Sequence, residues 1–316
     1  MVAALFLAEF LTAGAWPALT RLTSAPAREP LPVRGALVDR HIVPARTART
    51  PLVLVHGLAP EGKDDTRLVA AASLLARAGF DVAVPTIPGL TQLRLRPEDV
   101  TPVVASLAAR QRPAVLVGVS VGAGVAMLAA AQPEVRERVR LVLSLGGYAS
   151  AADLVRFYLT GEYAFGDTRG RVGHDPALIE TFLRANPDLL DASARRVLAA
   201  AAAGVDAPLH ALSPDLRALL DALSPERVAH AITAPLLLVH GRDDIAVPYT
   251  ESLRLAATRP ERTRLVLVGV VGHVEGADVV ERWSAVRDVL ALWTVTYRLL
   301  TLASAGRMSA GEMSVA

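Results

Sequence analysis

The chain contains no cysteine. That removes disulfide frameworks, thiolate metal sites, iron–sulfur clusters and cysteine nucleophiles in one step. It leaves the redox compartment open. Lysine is nearly absent too: Lys63 is the single one among 33 basic residues, and 31 acidic residues bring the formal net charge to +2. Aromatic residues make up only 4%, and no run of five basic residues occurs. A base-stacking platform or a phosphate track has no support, so no nucleic-acid partner is expected. What is abundant is apolar. Hydrophobic residues are 52% of 316, enough for the core of one large α/β domain or two small ones. Glycine (22) and proline (21) stand at ordinary levels, so collagen-like and low-complexity readings fail.

Residues 1–20 are largely apolar, and Glu9 is their one charged side chain. A signal peptide wants basic residues ahead of its apolar run, and only the terminal amine is present. A spanning helix wants about 18–25 apolar residues. Glu9 within the run and Pro17 near its end make a span costly. An apolar helix over residues 1–23, lying on a membrane surface or docked on the domain, is the plainer expectation. The chain is thus expected in the cytoplasm or associated with a membrane through residues 1–20. Residues 24–34 hold three prolines and read as a linker.

From about residue 35, short β-rich runs alternate with helical stretches. Strands are expected at 52–56, 81–84, 114–119 and 140–145, with helices at 68–77, 99–110 and 121–131. Gly79 stands where a left-handed residue would close the first of these helices. This rhythm predicts right-handed βαβ units and a mostly parallel, doubly wound sheet covered on both faces. The rhythm stops at residue 149. Residues 149–230 are rich in Ala, Leu, Arg and Asp and lack an obvious strand. Gly161, Gly166, Gly170 and Gly173 mark a looped stretch inside them. They read as a helical insertion. Strands return at 235–240 and 264–268, followed by a helix from about 276 to 293. The core is therefore expected over 35–148 and 231–293, with 294–316 as a fraying tail.

Gly118-Val-Ser120-Val-Gly122 fits G-x-S-x-G. An apolar strand leads into it and a small-residue helix leads out. A turn this tight leaves no room for side chains two positions before and after the serine, and glycine removes both conflicts. The serine then stands above the strand ends at the positive end of the helix dipole. A serine hydroxyl is a weak nucleophile. It needs a base, and the base needs an orienting acid. Both should lie at the ends of later strands. One such end is followed by Gly241-Arg-Asp243-Asp244-Ile-Ala-Val247-Pro248, which offers two acids. The next is followed by Gly269-Val-Val-Gly272-His273, which offers the imidazole. The order Ser120, Asp244, His273 is the one expected where this turn sits on an α/β sheet.

On these motifs, with the His56-Gly57 loop, the chain resembles the α/β-hydrolase superfamily over roughly residues 50–293. The resemblance implies that 149–230 is a helical cap. In relatives the acid lies in Gly-x-x-Asp-x-x-Val-Pro, which aligns with Gly241 and Val247-Pro248 and selects Asp244. Asp243 remains the alternative. The oxyanion hole would be the amide of Val121 and one from the His56-Gly57-Leu58 loop, taken as Leu58. His56 is expected to fix that loop. A serine hydrolase follows, working through an acyl-enzyme with no metal or cofactor. A carboxylesterase or lipase-like esterase is the expected form, with a small acyl substrate of hydrophobic character. The same triad on amides, lactones or carbon–carbon bonds is the alternative, as is a non-catalytic binding protein.

One rival motif competes. Gly57-Leu-Ala-Pro-Glu-Gly62-Lys63-Asp64 nearly spells a phosphate loop. Asp64 replaces the hydroxyl that should bind Mg²⁺, and Pro60 removes a backbone donor. His41, His174, His210 and His230 are scattered without a spacing that spells a metal site. Tyr148, Tyr158, Tyr163 and Phe165 are candidates for a substrate pocket or for the cap's own core.

Overall fold

The computed structural model describes residues 1–44, 49–174, 176–189, 191–202, 211–269 and 288–302. Two helices open the chain, α1 (Val2–Leu11) and α2 (Ala18–Leu22). Strands β1 (Ala27–Pro30), β2 (Val38–Ile42) and β3 (Thr50–Val55) follow, then α3 (Thr66–Ala78) and β4 (Phe80–Pro85). Next come α4 (Pro88–Thr91), α5 (Val100–Ala108), β5 (Ala114–Val119), α6 (Val121–Ala130) and β6 (Val139–Leu145).

Residues 151–228 hold α7 (Ala151–Thr160), β7 (Glu162–Phe165), β8 (Thr168–Arg171), α8 (Pro176–Ala185), α9 (Ala192–Ala202), α10 (Pro214–Ala222) and α11 (Pro225–Val228). The core resumes with β9 (Leu236–Gly241), α12 (Thr250–Thr258) and β10 (Thr263–Val268). A helix over 288–302 ends the described chain.

Eight strands form one sheet in the order β1-β2-β4-β3-β5-β6-β9-β10. β2 runs antiparallel to both β1 and β4, and the other pairs are parallel. The parallel strands are apolar on both faces because both faces are covered. Val53, Leu116, Val142 and Leu238 enter one core, beneath α5, α6 and α12. Their chain neighbours Leu52, Val115, Leu141 and Leu237 enter the other, beneath α1, α3 and the 288–302 helix. That alternation is the period-two signature of a strand. Local signals set α3: Asp65 caps it by accepting from the amides of Arg67 and Leu68, and Gly79 closes it at φ +116°.

The crossover from β3 through α3 to β4 lies on one face, whereas those through α5 to β5 and α6 to β6 lie on the other. Strand order therefore reverses between β3 and β5, and a crevice opens at their carboxyl ends.

Four expectations change. The stretch 24–34 is no mere linker: Ala27–Pro30 pairs with β2 as an edge strand, and Pro30 is tolerated at that edge. Its fully exposed pattern gave no hydrophobic signal. The strand Val38–Ile42 was likewise absent from the rhythm, because polar Asp39 and Arg40 interrupt it. The glycine-marked stretch of the insertion is a hairpin, β7–β8, with Gly166 at its turn at φ +57°. The final helix continues to residue 302, because Val295, Leu299 and Leu300 keep packing into the core. The expected start of that helix at about 276, His210 and residues 303–316 lie outside the described residues.

The apolar amino terminus is docked on the domain. Ala3, Phe6 and Leu7 of α1 and Leu19 of α2 are buried with Leu68, Ala72 and Leu75 of α3. Glu9, only 7% exposed, accepts from the amides of Leu19 (2.7 Å) and Thr20 (2.9 Å) and from the Thr20 hydroxyl. Burial opposes its charge, but these hydrogen bonds outweigh it and hold the carboxyl below the usual glutamate range. Arg77 of α3 clamps the following turn by donating to the carbonyls of Thr23 (2.8 Å) and Ser24 (3.0 Å). Phe10, Leu11, Trp16 and Leu22 remain exposed on the outer side. Among the described residues no helix is long and apolar enough to cross a membrane.

Candidate active site

Ser120 ends β5 and begins α6 with φ +52° and ψ −133°, one of three non-glycine residues at positive φ among those described. A side chain in that region carries strain, which persists only where the surroundings over-determine it. Here they do. A Cβ at Gly122 would stand 1.9 Å from the His56 carbonyl oxygen, and one at Gly118 would stand 2.4 Å from Ala123 Cα. The Ser120 amide donates to the Leu145 carbonyl at 2.7 Å, fixing the turn to the end of β6. The hydroxyl itself is half-buried and accepts or donates no hydrogen bond among the described residues.

The loop after β3 meets this turn. A Cβ at Gly57 would lie 3.2 Å from Ser120 Cβ. Its neighbour His56 is buried and doubly held: Nε2 accepts from the Ile87 amide at 3.0 Å, and Nδ1 donates to the Gly57 carbonyl at 2.7 Å. The ring is therefore a neutral tautomer, and burial lowers its pKa against the pull of that carbonyl. With both nitrogens engaged, His56 fixes the loop. The amides of Leu58 and Val121 make no hydrogen bond among the described residues.

The acid loop follows β9, two strands from β5. Asp244 is 9% exposed, whereas Asp243 is exposed. Asp244 Oδ1 accepts from the amides of Ala246 (2.9 Å) and Val247 (3.0 Å), which fixes the carboxylate in its turn. Oδ2 points toward the strand ends, and a Cβ at Gly146 would stand 3.1 Å from it. Gly146 directly follows Leu145, the residue bonded to Ser120. Serine, loop and acid thus share one edge. His240 backs this loop. Its Nε2 donates to the Val247 carbonyl at 2.8 Å, its Nδ1 accepts from the Ser252 hydroxyl at 2.7 Å, and Nε2 lies 3.6 Å from Asp244 Oδ2. His273 lies outside the described residues. The described stretch 211–269 ends four positions earlier at Gly269, just past the carboxyl end of β10, where the Gly269 amide donates to Asp288 at 2.6 Å.

The phosphate-loop reading does not survive the geometry. Lys63 ion-pairs with Asp39 and Asp64, each at 3.1 Å, and Asp64 also pairs with Arg28, so the lysine is occupied by protein carboxylates. His174 Nε2 donates to the Phe157 carbonyl at 3.0 Å, and the imidazole packs edge-on against the Phe157 ring. It belongs to an aromatic cluster of the insertion with Tyr158 and Phe182. Tyr148 is fully buried, its ring against Gly124 and its hydroxyl donating to the Leu223 carbonyl at 2.8 Å. It ties α6 to the end of α10 and has no free face for a substrate.

Two supporting residues were not foreseen. Glu251 of α12 is buried and accepts from the amides of Ala149 (2.9 Å) and Ser150 (2.8 Å), where the chain leaves the core for the insertion. Burial pushes its pKa up to about 7, against the two amides. Asp288, the acceptor for Gly269, anchors the end of β10. Glu251 is an acid at the start of a helix, a position too common to single it out, and no local sequence pattern marks Asp288 either.

A family model described as the alpha/beta hydrolase family matches residues 52–289. The chain belongs to that family, and its eight-stranded, mostly parallel sheet with flanking helices is that fold. Among solved structures it is similar to a Pyrococcus horikoshii acylaminoacyl peptidase, with a TM-score of 0.56 and 14% identity over 90% of this chain and 42% of that one. A Mycobacterium tuberculosis puromycin-hydrolyzing peptidase gives 0.55 and 18%, over 89% and 39%. The 2,6-dihydroxy-pseudo-oxynicotine hydrolase gives 0.54 and 19%, over 95% and 73%. At these identities the likeness concerns the fold, and the chain spans about two fifths of the two peptidase chains. No curated protein matches it.

Proposed function

We propose that this hydrolase cleaves a carboxylic ester through an acyl-enzyme on Ser120. The observation that carries the reading is the strained Ser120 turn, wedged by the His56-Gly57 loop at the point where strand order reverses. In the proposed mechanism His273 takes the Ser120 proton as Oγ attacks the acyl carbonyl, and Asp244 orients the imidazole and stabilises its charged form. The Val121 and Leu58 amides receive the oxyanion. The leaving alcohol takes the proton back from His273. Water then repeats the sequence on the acyl-enzyme and releases the acid.

The acyl group is proposed to be hydrophobic, from the apolar character of the insertion next to the serine helix. Leu154, Tyr158, Phe182 and Leu216 of the insertion pack in one core with Val121 and Val247, and Leu58 lies against it. Two of the fold relatives carry peptidase in their names, so amides are the pertinent control. The test is a series of p-nitrophenyl acyl esters of rising chain length beside the matching p-nitroanilides. Turnover of the esters, with kcat/KM rising over the first added methylenes and little or no anilide cleavage, is expected. Faster cleavage of the anilides would replace the esterase reading with an amidase one.

A further inference from the structure

Every residue from Phe10 to Trp16, the turn that joins α1 to α2, is exposed. The turn carries Phe10, Leu11 and Trp16, of which Trp16 is 57% exposed, and Leu22 follows on α2 at 68%. Large apolar side chains gathered at a surface mark a place that meets something less polar than water. Phe10 stacks on Phe6, with ring centroids 6.1 Å apart and the planes at 8°. Phe6 is buried in the core that α3 lines, so the apolar face of α1 continues past the edge of the domain.

Backbone and charge decide what lies beyond that edge. Apart from Pro17, which has no N–H, each amide from Thr12 to Arg21 already has an acceptor. Thr12, Ala13 and Gly14 donate to the carbonyls of Ala8 (3.2 Å), Phe10 (3.1 Å) and Glu9 (2.9 Å). Ala15 donates to the Thr12 carbonyl at 2.8 Å and Trp16 to the Thr12 hydroxyl at 3.1 Å. Ala18 and Arg21 donate to the carbonyls of Trp16 and Pro17, and Leu19 and Thr20 to the Glu9 carboxylate. Water would satisfy a free amide, whereas lipid cannot, so irregular backbone tolerates lipid only when its amides are paired as these are. Glu9 is the only acid among the first 28 residues, and it is turned inward, where the charge of Arg77 also acts on it. Arg21 is exposed and makes no ion pair among the described residues. Residues 1–27 thus expose apolar side chains and a positive one, with no exposed acid.

We propose that the turn between α1 and α2 seats in the interfacial layer of an anionic phospholipid bilayer, with Leu11 and Trp16 beneath the headgroups and Arg21 among them. The amphipathic indole of tryptophan suits that depth. A guanidinium at headgroup level is drawn to anionic lipid. Because α1 is docked on α3, the chain lies on the membrane and does not span it. The contact makes no use of Ser120, so it stands or falls apart from the proposed esterase chemistry.

Co-sedimentation of the full chain with two kinds of vesicle tests the proposal: pure phosphatidylcholine, and equal parts of phosphatidylcholine and phosphatidylglycerol. The chain should bind the mixed vesicles more tightly. Its tryptophan emission should shift to the blue on binding, and Trp16→Phe should abolish that shift. Leu11→Ser/Trp16→Ser should weaken binding by about tenfold or more. Its thermal midpoint and its turnover of a soluble ester should stay unchanged, since both side chains are exposed. Arg21→Gln should weaken binding to the mixed vesicles by about fivefold and leave binding to pure phosphatidylcholine unaltered. Failure to sediment with the mixed vesicles would overturn the proposal, as would equal binding to the two kinds or unaltered binding of the Leu11/Trp16 variant. A dimer in sedimentation velocity that this variant dissolves, without vesicle binding, would also overturn it and assign the turn to a second copy of the chain.

Discussion

Ser120→Ala is expected to lower kcat for a p-nitrophenyl ester by about 10⁴-fold or more, leaving only what binding and the oxyanion donors supply. The reason is specific to the group removed. In the proposed mechanism the hydroxyl oxygen is the atom that bonds to the acyl carbon, so no neighbour can substitute for it. Stability should move by no more than about 0.5 kcal/mol, because the hydroxyl makes no hydrogen bond among the described residues. Alanine also bears φ +52° no worse than serine does. Parallel thermal unfolding of the two proteins separates lost chemistry from lost fold. A variant that unfolds normally and still turns over the ester would remove Ser120 from the mechanism.

The second large effect concerns the acid. Asp244→Asn should cost on the order of 10³–10⁴ in kcat, while Asp243→Asn should change it by less than about twofold. Asparagine keeps the shape of the aspartate, and its carbonyl oxygen can still accept from the Ala246 and Val247 amides. The loop should therefore persist. What disappears is the negative charge that, in the proposed mechanism, orients the His273 imidazole and stabilises its protonated form. Asp243 is exposed, so its loss changes only a solvated charge. Steady-state kinetics of both variants across a pH series decides between them. A crippled Asp243→Asn beside an active Asp244→Asn would exchange the assignments.

Much of this was legible in the sequence, and particular residues show why. The strands β3, β5 and β9 each hold an unbroken apolar run of four residues (52–55, 114–117 and 236–239), because each is covered on both faces, and that burial is what a sequence displays. The serine turn was legible because its geometry excludes side chains at 118 and 122. The clash of 1.9 Å at Gly122 is the physical content of that glycine. The edge strands β1 and β2 were not legible. An edge faces water and tolerates proline and charge, so it has no hydrophobic signature. The β7–β8 hairpin was hidden by glycines that read as loop, although Gly166 is what its turn requires.

At the amino terminus, hydropathy cannot separate a helix buried against protein from one buried in lipid. The deciding contacts join Glu9 to amides ten and eleven residues later, and no local pattern announces them. The same holds for Glu251 and Asp288. Their partners lie 102 and 19 positions away in the chain, so their roles exist only once the chain has folded. Choosing Asp244 over Asp243 needed the spacing seen in relatives. The structure adds a physical difference between the two neighbours: one carboxylate is buried and fixed by two amides, and the other is solvated.

In the proposed mechanism one alcohol of this chain, that of Ser120, is made nucleophilic at the strand-reversal crevice. Intact-mass analysis after exposure to a fluorophosphonate, followed by peptide mapping, tests it most directly. In that reaction the activated oxygen bonds to phosphorus, fluoride departs, and the proton passes to the base. A single adduct is expected on the peptide carrying Ser120, absent from Ser120→Ala and strongly slowed in His273→Ala. An adduct on a different residue, or an unlabelled wild-type protein that nevertheless hydrolyses esters, would contradict it.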